Sequence, residues 1–332
     1  MIILTGGAGF IGSCFLAKLN ENNINDVLVV DQLATTDKWK NLANKKFTGF
    51  LHKDKFRKFI LDTENTVLNY SSNEFDNKKI DAIVHLGACS TTTEKDADYL
   101  MDNNFLYSKE LANFAIKKNI RFIYASSAAT YGDGKQNYSD KSISNLIPLN
   151  CYGLSKHLFD MWIVENNLES KVTGLKFFNV FGPNELHKGD MQSMVSKAFK
   201  QIEETGKIKL FKSYNKEYAH GEQMRDFIYV KDSVEIMMRI LNDKTFTGIY
   251  NVGTGLARSW NDLANAAFAA MERIPNIEYV EMPEELKKQY QYFTEADTEK
   301  LMSKLGSDWK FTSLEEAVKD YIQNYLKEGK IW

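Results

Sequence analysis

The chain has 332 residues, 43% hydrophobic and 13% aromatic, enough to bury the core of one large α/β unit together with a smaller lobe. A formal net charge of −2 gives no overall pull towards nucleic acid or a membrane surface, and no apolar stretch approaches the roughly 20 residues that cross a bilayer. Three cysteines, Cys14, Cys89 and Cys151, form no CxxC pair and read as reduced thiols of a cytoplasmic protein, while five histidines at 52, 85, 157, 187 and 220 lack metal-ligand spacing, so no metal site is expected.

Taken in chain order, Met1-Ile2-Ile3-Leu4-Thr5 reads as a buried strand. Gly6-Gly7-Ala8-Gly9-Phe10-Ile11-Gly12 follows as a tight turn, and the apolar-periodic segment through Phe15, Leu16 and Leu19 as a helix. Gly6, Gly9 and Gly12 permit a sharp turn, close approach to a pyrophosphate and tight helix packing, while the helix N-terminus offers free amides to phosphate. The next apolar run, Val27-Leu28-Val29-Val30, ends at Asp31, where a carboxylate can accept hydrogen bonds from an adenosine ribose. Asp31 alone favours NAD; Lys38 and Lys53 are the lysines able to neutralise the additional phosphate of NADP.

The chain is then polar and lysine-rich to about residue 80, with a helix near residues 55–62. Ile80-Asp81-Ala82-Ile83-Val84-His85-Leu86 reads as another buried strand, running into the small residues Gly87-Ala88-Cys89-Ser90. A long amphipathic helix is expected from Ala97 to Lys118, followed by a strand at Arg121-Phe122-Ile123-Tyr124-Ala125 that ends in Ser126-Ser127. This alternation predicts a parallel, doubly wound sheet, with its ligand at the carboxyl ends of the strands. Three segments fall at such ends: Gly6 to Gly12, Gly87 to Ser90, and Ser126-Ser127.

Tyr152 and Lys156 lie four residues apart, on one face of a helix. A nearby cation favours phenolate over phenol, so the pair suggests acid-base chemistry at a hydroxyl. From residue 181 a long loop, Phe181 to Met191, leads into mixed elements: helices at 191–204, 231–242, 259–272 and 313–327, and short strands at 227–230 and 249–252. With no repeat or low-complexity linker, the second lobe is expected to fold onto the first.

Gly6-x-x-Gly9-x-x-Gly12, the serine before Tyr131-Gly132, Tyr152-x-x-x-Lys156, His187-Lys188-Gly189 and Arg225-Asp226-Phe227 together resemble the extended short-chain dehydrogenase/reductase family of nucleotide-sugar epimerases and dehydratases. The resemblance spans essentially the whole chain and is strongest to members acting on ADP-heptose. It implies a Rossmann-like domain over residues 1–180, to which segments about 225–255 return, and a smaller α/β substrate-binding lobe over 181–332. It implies NADP, one per subunit, contacted by Phe10, Ile11, Asp31, Gln32, Lys38, Lys53, Leu86, Gly87, Ala88, Cys89, Ser90, Asn103, Lys156 and Val180. Substrate contacts map onto Asn179, Asp190, Lys197, Phe211, Lys212, Ser213, Tyr214, Arg225 and Tyr290. Tyr152 and Lys188 match the acid-base residues; Lys156 would lower the tyrosine pKa and Ser127 would hold the reacting oxygen. The implied reaction is epimerisation at C6″ of ADP-heptose, supplying lipopolysaccharide inner-core synthesis, in a cytoplasmic homopentamer.

Two rivals remain open at this point: a related 4-epimerase, and a non-catalytic dinucleotide sensor. Dehydratases of the family carry an Asp-Glu pair where this chain has Ala128-Ala129, which argues against elimination. The chain departs from the family pattern at Asp190, often a serine, and in the longer segment Tyr214 to Met224.

Overall fold

The computed structural model describes residues 1–65, 79–287 and 290–332. In chain order the main elements are β1 (Ile2–Thr5), α1 (Phe10–Glu21), β2 (Val27–Asp31), β3 (Gly49–His52), α2 (Lys53–Asn65), β4 (Ala82–His85), α3 (Ala97–Leu100), α4 (Tyr107–Lys117), β5 (Arg121–Ser127), α5 (Cys151–Glu165) and β6 (Val172–Phe177). The second half adds β7 (Asn179–Phe181), α6 (Met194–Thr205), β8 (Ile208–Phe211), β9 (Met224–Tyr229), α7 (Val230–Asn242), β10 (Gly248–Val252), β11 (Ala257–Ser259), α8 (Trp260–Ala270), β12 (Ile277–Val280), α9 (Glu284–Lys287), α10 (Glu299–Leu305) and α11 (Leu314–Tyr321).

Seven strands form one parallel sheet in the order β10-β6-β5-β4-β1-β2-β3. The order in which strands are added reverses between β1 and β4, the switch point where ligands of doubly wound folds bind. Strands β1, β2 and β4 are buried along their whole length, as an apolar strand covered on both faces must be. One face packs on α1, α7 and the α8-α11 layer, with Phe15 and Phe268 fully buried. The other packs on α2, α4 and α5, with Phe56 and Phe122 fully buried. Each such aromatic side chain contributes about 1.5–3 kcal/mol through removal from water. The smaller lobe carries a three-stranded sheet, β11-β9-β7, and the parallel pair β12-β8.

Two expectations change in detail. The helix expected from Ala97 to Lys118 is α3, a π-helical turn at Met101–Leu106, and α4. That wider turn brings Asn103 and Asn104 to the ligand edge, as shown below, and such insertions recur at functional sites. The last helix, expected at 313–327, starts behind a Ser313-Glu316 capping box, ends at Tyr321 as α-helix and continues as a π-turn to Leu326.

Candidate active site

The glycine turn after β1 is a cradle too tight for side chains. Gly6 has φ +70°, and a Cβ there would lie 2.7 Å from the Gly87 amide nitrogen; one on Gly12 would lie 2.1 Å from the Gly6 carbonyl oxygen. Helix α1 begins behind Gly9 with no side-chain cap, leaving its first amides free for an anion. A cavity of about 620 Å³ runs from this turn past Leu86, Gly87, Ala88, Cys89 and Ser90 to Ser127, Tyr152, Lys156, Val180 and Lys188. Gly6, Gly9, Phe10, Ile11, Gly12, Asp31 and Lys38 border its other end. Tight backbone turns, a free helix N-terminus and this volume fit an extended dinucleotide.

Beyond the glycines a smaller recess of about 100 Å³ is lined by Gln32, Lys38, Lys53 and Asn103 among others. Asp31 is already engaged there: it accepts from the Ala8 amide at 2.8 Å, the Gln32 amide at 2.7 Å and Lys38 Nζ at 2.7 Å. Lys53 Nζ donates to the neutral Asn103 side chain at 2.7 Å. The acidic residue therefore holds the glycine loop and is charge-matched by Lys38, while Lys53 adds a second cation.

The loop after β4 is fastened from below. Asn104 accepts from the Cys89 amide at 2.9 Å and donates to the Cys89 carbonyl at 3.0 Å and to Ser155 Oγ at 3.1 Å, joining that loop to α5. His85 contacts Thr5 Oγ1 at 2.7 Å and Ser108 Oγ at 2.9 Å, and Thr5 accepts from the Gly87 amide. Burial pushes the His85 imidazole down to about 3. His187, at the cavity's far wall, is likewise lowered to about 4 by burial, and Asn41 Nδ2 lies 3.2 Å from its Nδ1. Sequence reading passed over Thr5, His85 and Asn104 as ligand-edge residues, because their role comes from contacts between distant segments.

Asn150 caps α5 by accepting from the Gly153 amide, which starts the helix with Tyr152 and Lys156 on the cavity side. Tyr152 is buried and lines the cavity beside Ser127, at the end of β5. Lys156 Nζ donates to the Ala125 carbonyl at 2.9 Å, and burial lowers it from its ordinary 10.5 to about 8. The expected lowering of the phenol by Lys156 is not found in the free protein: burial raises Tyr152 and Ser127 opposes the rise. The reason is order of titration, since an ammonium at about 8 has lost its charge before a phenol above 10 ionises.

Lys156 has a measurable cost. Between pH 8 and 10.5 the unfolded chain keeps this proton while the folded protein has shed it, so this group's contribution to stability rises with pH across that window and its full penalty lies below about 8. Lys156→Met is therefore expected to be more stable than the parent by about 1–2 kcal/mol at pH 7, with the gap closing towards pH 10.5. Urea unfolding of both proteins at pH 7 and pH 10 reads this directly; a gap independent of pH would refute it.

Lys188 lies on a short 3₁₀ segment, Leu186–Met191, with its ammonium 5.3 Å from the Phe10 ring centroid. Burial lowers its pKa, while the buried Glu185 raises it. Lys188, Phe178, Val180 and Met191 also border a second cavity, of about 600 Å³, walled by elements of the smaller lobe. Among the described residues this cleft is lined by Lys188, Lys197 and Lys209 and by no carboxylate. Asn179, Lys197, Phe211 and Tyr290 line it as well. Arg225, only 7% exposed, stacks behind Tyr290 at 5.2 Å from its ring centroid.

Five expected substrate residues line neither large cavity: Arg225, behind Tyr290, and Asp190, Lys212, Ser213 and Tyr214. Asp190 is exposed, and Lys197 Nζ donates to its backbone carbonyl at 2.7 Å. Lys212 and Tyr214 are bonded to Glu281, and Ser213 faces a separate surface hollow formed by its own loop. Sequence reading in turn missed Trp260, Gln192 and Lys209 in the cleft lining.

The family described as the NAD dependent epimerase/dehydratase family matches residues 2–253. A Nitratidesulfovibrio vulgaris protein named ADP-L-glycero-D-manno-heptose-6-epimerase is 50% identical over 328 residues, covering 98% of each chain. A Fusobacterium nucleatum protein of the same name is 49% identical over 337 residues, again with 98% of each chain covered. The crystal structure of a Helicobacter pylori protein of that name is 27% identical with a TM-score of 0.79, over 97% of this chain and 95% of that one. With relatives so close along nearly its whole length, and a dinucleotide cradle opening onto a cationic cleft, this chain belongs to the NAD dependent epimerase/dehydratase family, among its epimerases.

Proposed function

We propose that the protein converts ADP-D-glycero-D-manno-heptose into ADP-L-glycero-D-manno-heptose by transient oxidation at C6″ with bound NADP, in the synthesis of lipopolysaccharide inner-core precursors. One observation carries the reading: Tyr152 on α5 and Lys188 on the 186–191 segment border the same cavity from different elements. Inverting an unactivated carbinol carbon requires taking its hydroxyl proton on one side and returning a proton on the other, which needs two groups. Nicotinamide, when bound, supplies a reversible hydride acceptor and a positive charge to this cavity.

The chain's own residues do the rest. The glycine turn and the first amides of α1 hold the pyrophosphate, and Lys156 holds the nicotinamide ribose. Ser127 hydrogen-bonds the reacting oxygen and keeps Tyr152 in line with it. One of Tyr152 and Lys188 takes the C6″ hydroxyl proton; the sugar's 6″-ketone turns, and the other residue returns a proton to the oxygen as the opposite face is reduced. Burial lowers the Lys188 pKa from its ordinary range, which eases release of its proton. Lys197 meets the diphosphate, with the Arg225 charge behind Tyr290 adding to the positive potential, aided by the absence of a carboxylate among the described residues of the cleft lining. A 4-epimerase has no need of the Lys188 ammonium in this cavity, which favours the 6-epimerase reading.

NADP is favoured over NAD because Asp31 is charge-matched by Lys38 and Lys53 remains as a second cation in the same recess. We further read residues 1–180, with the returning segments, as the cofactor domain and the remainder as the substrate lobe, in a cytoplasmic homopentamer; the family resemblance supports this. The test is incubation with ADP-D-glycero-D-manno-heptose without added cofactor, following C6″ configuration by NMR in deuterated water. Conversion with hydrogen retained at C6″ is the expected result. Absence of conversion by protein shown to carry NADP would overturn the assignment.

A further inference from the structure

We infer that Trp260 is a positioning residue of the nucleotide-sugar cleft, fixing the Tyr290 hydroxyl as a hydrogen-bond donor to an anionic oxygen of the ligand. Trp260 is the first residue of α8, and it and Tyr290 line the cleft together. Its indole Nε1–H donates to the Tyr290 hydroxyl at 3.0 Å. An indole nitrogen only donates, so the phenol oxygen must be the acceptor. The Arg225 guanidinium, which likewise has no acceptor, lies over the face of the same ring. With its oxygen accepting from a group that only donates, what Tyr290 has to offer a ligand is its own O–H.

That hydrogen needs an acceptor, and a diphosphate is the acceptor-rich group that a cleft lined by Lys188, Lys197 and Lys209 attracts. The arrangement is held firmly. The Arg225 guanidinium carbon lies 5.6 Å from the Trp260 ring centroid and 5.2 Å from that of Tyr290, and Trp260 packs edge-on against Phe227 at 5.1 Å. Trp260 thus acts through Tyr290. The inference rests on the nucleotide-sugar reading of the cleft, but only on its diphosphate, not on heptose or on C6″ chemistry.

The test is calorimetric binding of ADP, and in parallel UDP, to the cofactor-loaded protein and to Trp260→Phe, Tyr290→Phe and the double variant. Phenylalanine keeps a ring against Phe227 and Arg225 while removing the N–H donor and part of the indole's volume, and the double variant separates the two losses. Tyr290→Phe is expected to weaken ADP binding about tenfold and Trp260→Phe about three- to fivefold. The double variant should match Tyr290→Phe within about twofold, because Trp260 has nothing left to orient. A loss from Trp260→Phe that persists at full size in the Tyr290→Phe background overturns the inference, as does no loss at all. Binding of UDP but not ADP by the parent protein would overturn the ADP-heptose assignment, and the same cycle run on UDP would then decide this one. Binding of neither overturns it.

Discussion

Tyr152→Phe is expected to lower turnover by about 10²–10⁴-fold while leaving the dinucleotide bound, because the substitution removes a proton-transferring hydroxyl and no packing volume. Lys188→Met should have an effect of similar size, since in the proposed mechanism each residue serves one side of the inverted carbon and neither does both. The two variants should differ in one respect. Lys188 also borders the 600 Å³ cleft, so its loss should raise KM as well, whereas Tyr152 lies only in the cofactor cavity lining. Steady-state kinetics on variants shown by absorbance to retain cofactor would check this; parental rates from either would remove that residue from the mechanism.

Asp160→Asn is expected to destabilise the fold by about 3–5 kcal/mol, the cost of leaving a buried charge without its counterion. Lys176 and Asp160 are both 0% exposed, with Nζ to Oδ2 at 2.6 Å. Lys176 Nζ also donates to Thr130 Oγ1 at 2.8 Å, and Asp160 accepts from Tyr124 at 2.9 Å and Ser126 at 2.6 Å. Replacing the carboxylate by an amide strands an ammonium in the interior and leaves one acceptor oxygen where Tyr124, Ser126 and Lys176 all donate. The double variant Asp160→Asn/Lys176→Met, which removes both charges, should recover much of the loss. Denaturant unfolding would measure both, and a single-variant cost below about 1 kcal/mol would contradict the argument. The pair ties β5, β6 and α5 together next to Ser127 and one helical turn from Lys156, so activity should fall with stability.

The parts of the site that could be read from sequence share a property: each is announced by its neighbours in the chain. An apolar run before Gly6, another before Asp31 and a third before Gly87 mark strand ends directly, and strand ends are where this fold binds ligands. Strand β6 gave no such signal, because Thr173, Gly174 and Lys176 interrupt an apolar pattern that burial on both faces would otherwise produce. The π-turn at Met101–Leu106 shifts the helical phase without changing composition, so periodicity alone predicts a continuous helix. The β12-β8 pair consists of short strands distant in sequence and only partly buried. Trp260 and Tyr290, like Asp160 and Lys176, are partners from separate elements; local sequence carries no record of such a meeting.

The two histidines at this site have a consequence for its electrical environment. With His85 at about 3 and His187 at about 4, both rings stay neutral from mildly acidic conditions upwards. The imidazoles, His187 on the cavity wall and His85 beneath the loop after β4, therefore act as fixed scaffolding whose contribution to the local potential does not drift with the surrounding medium. A catalyst that lends and reclaims a proton within one turnover gains from such silence: neither ring competes for the proton in transit, and neither alters the field in which it travels.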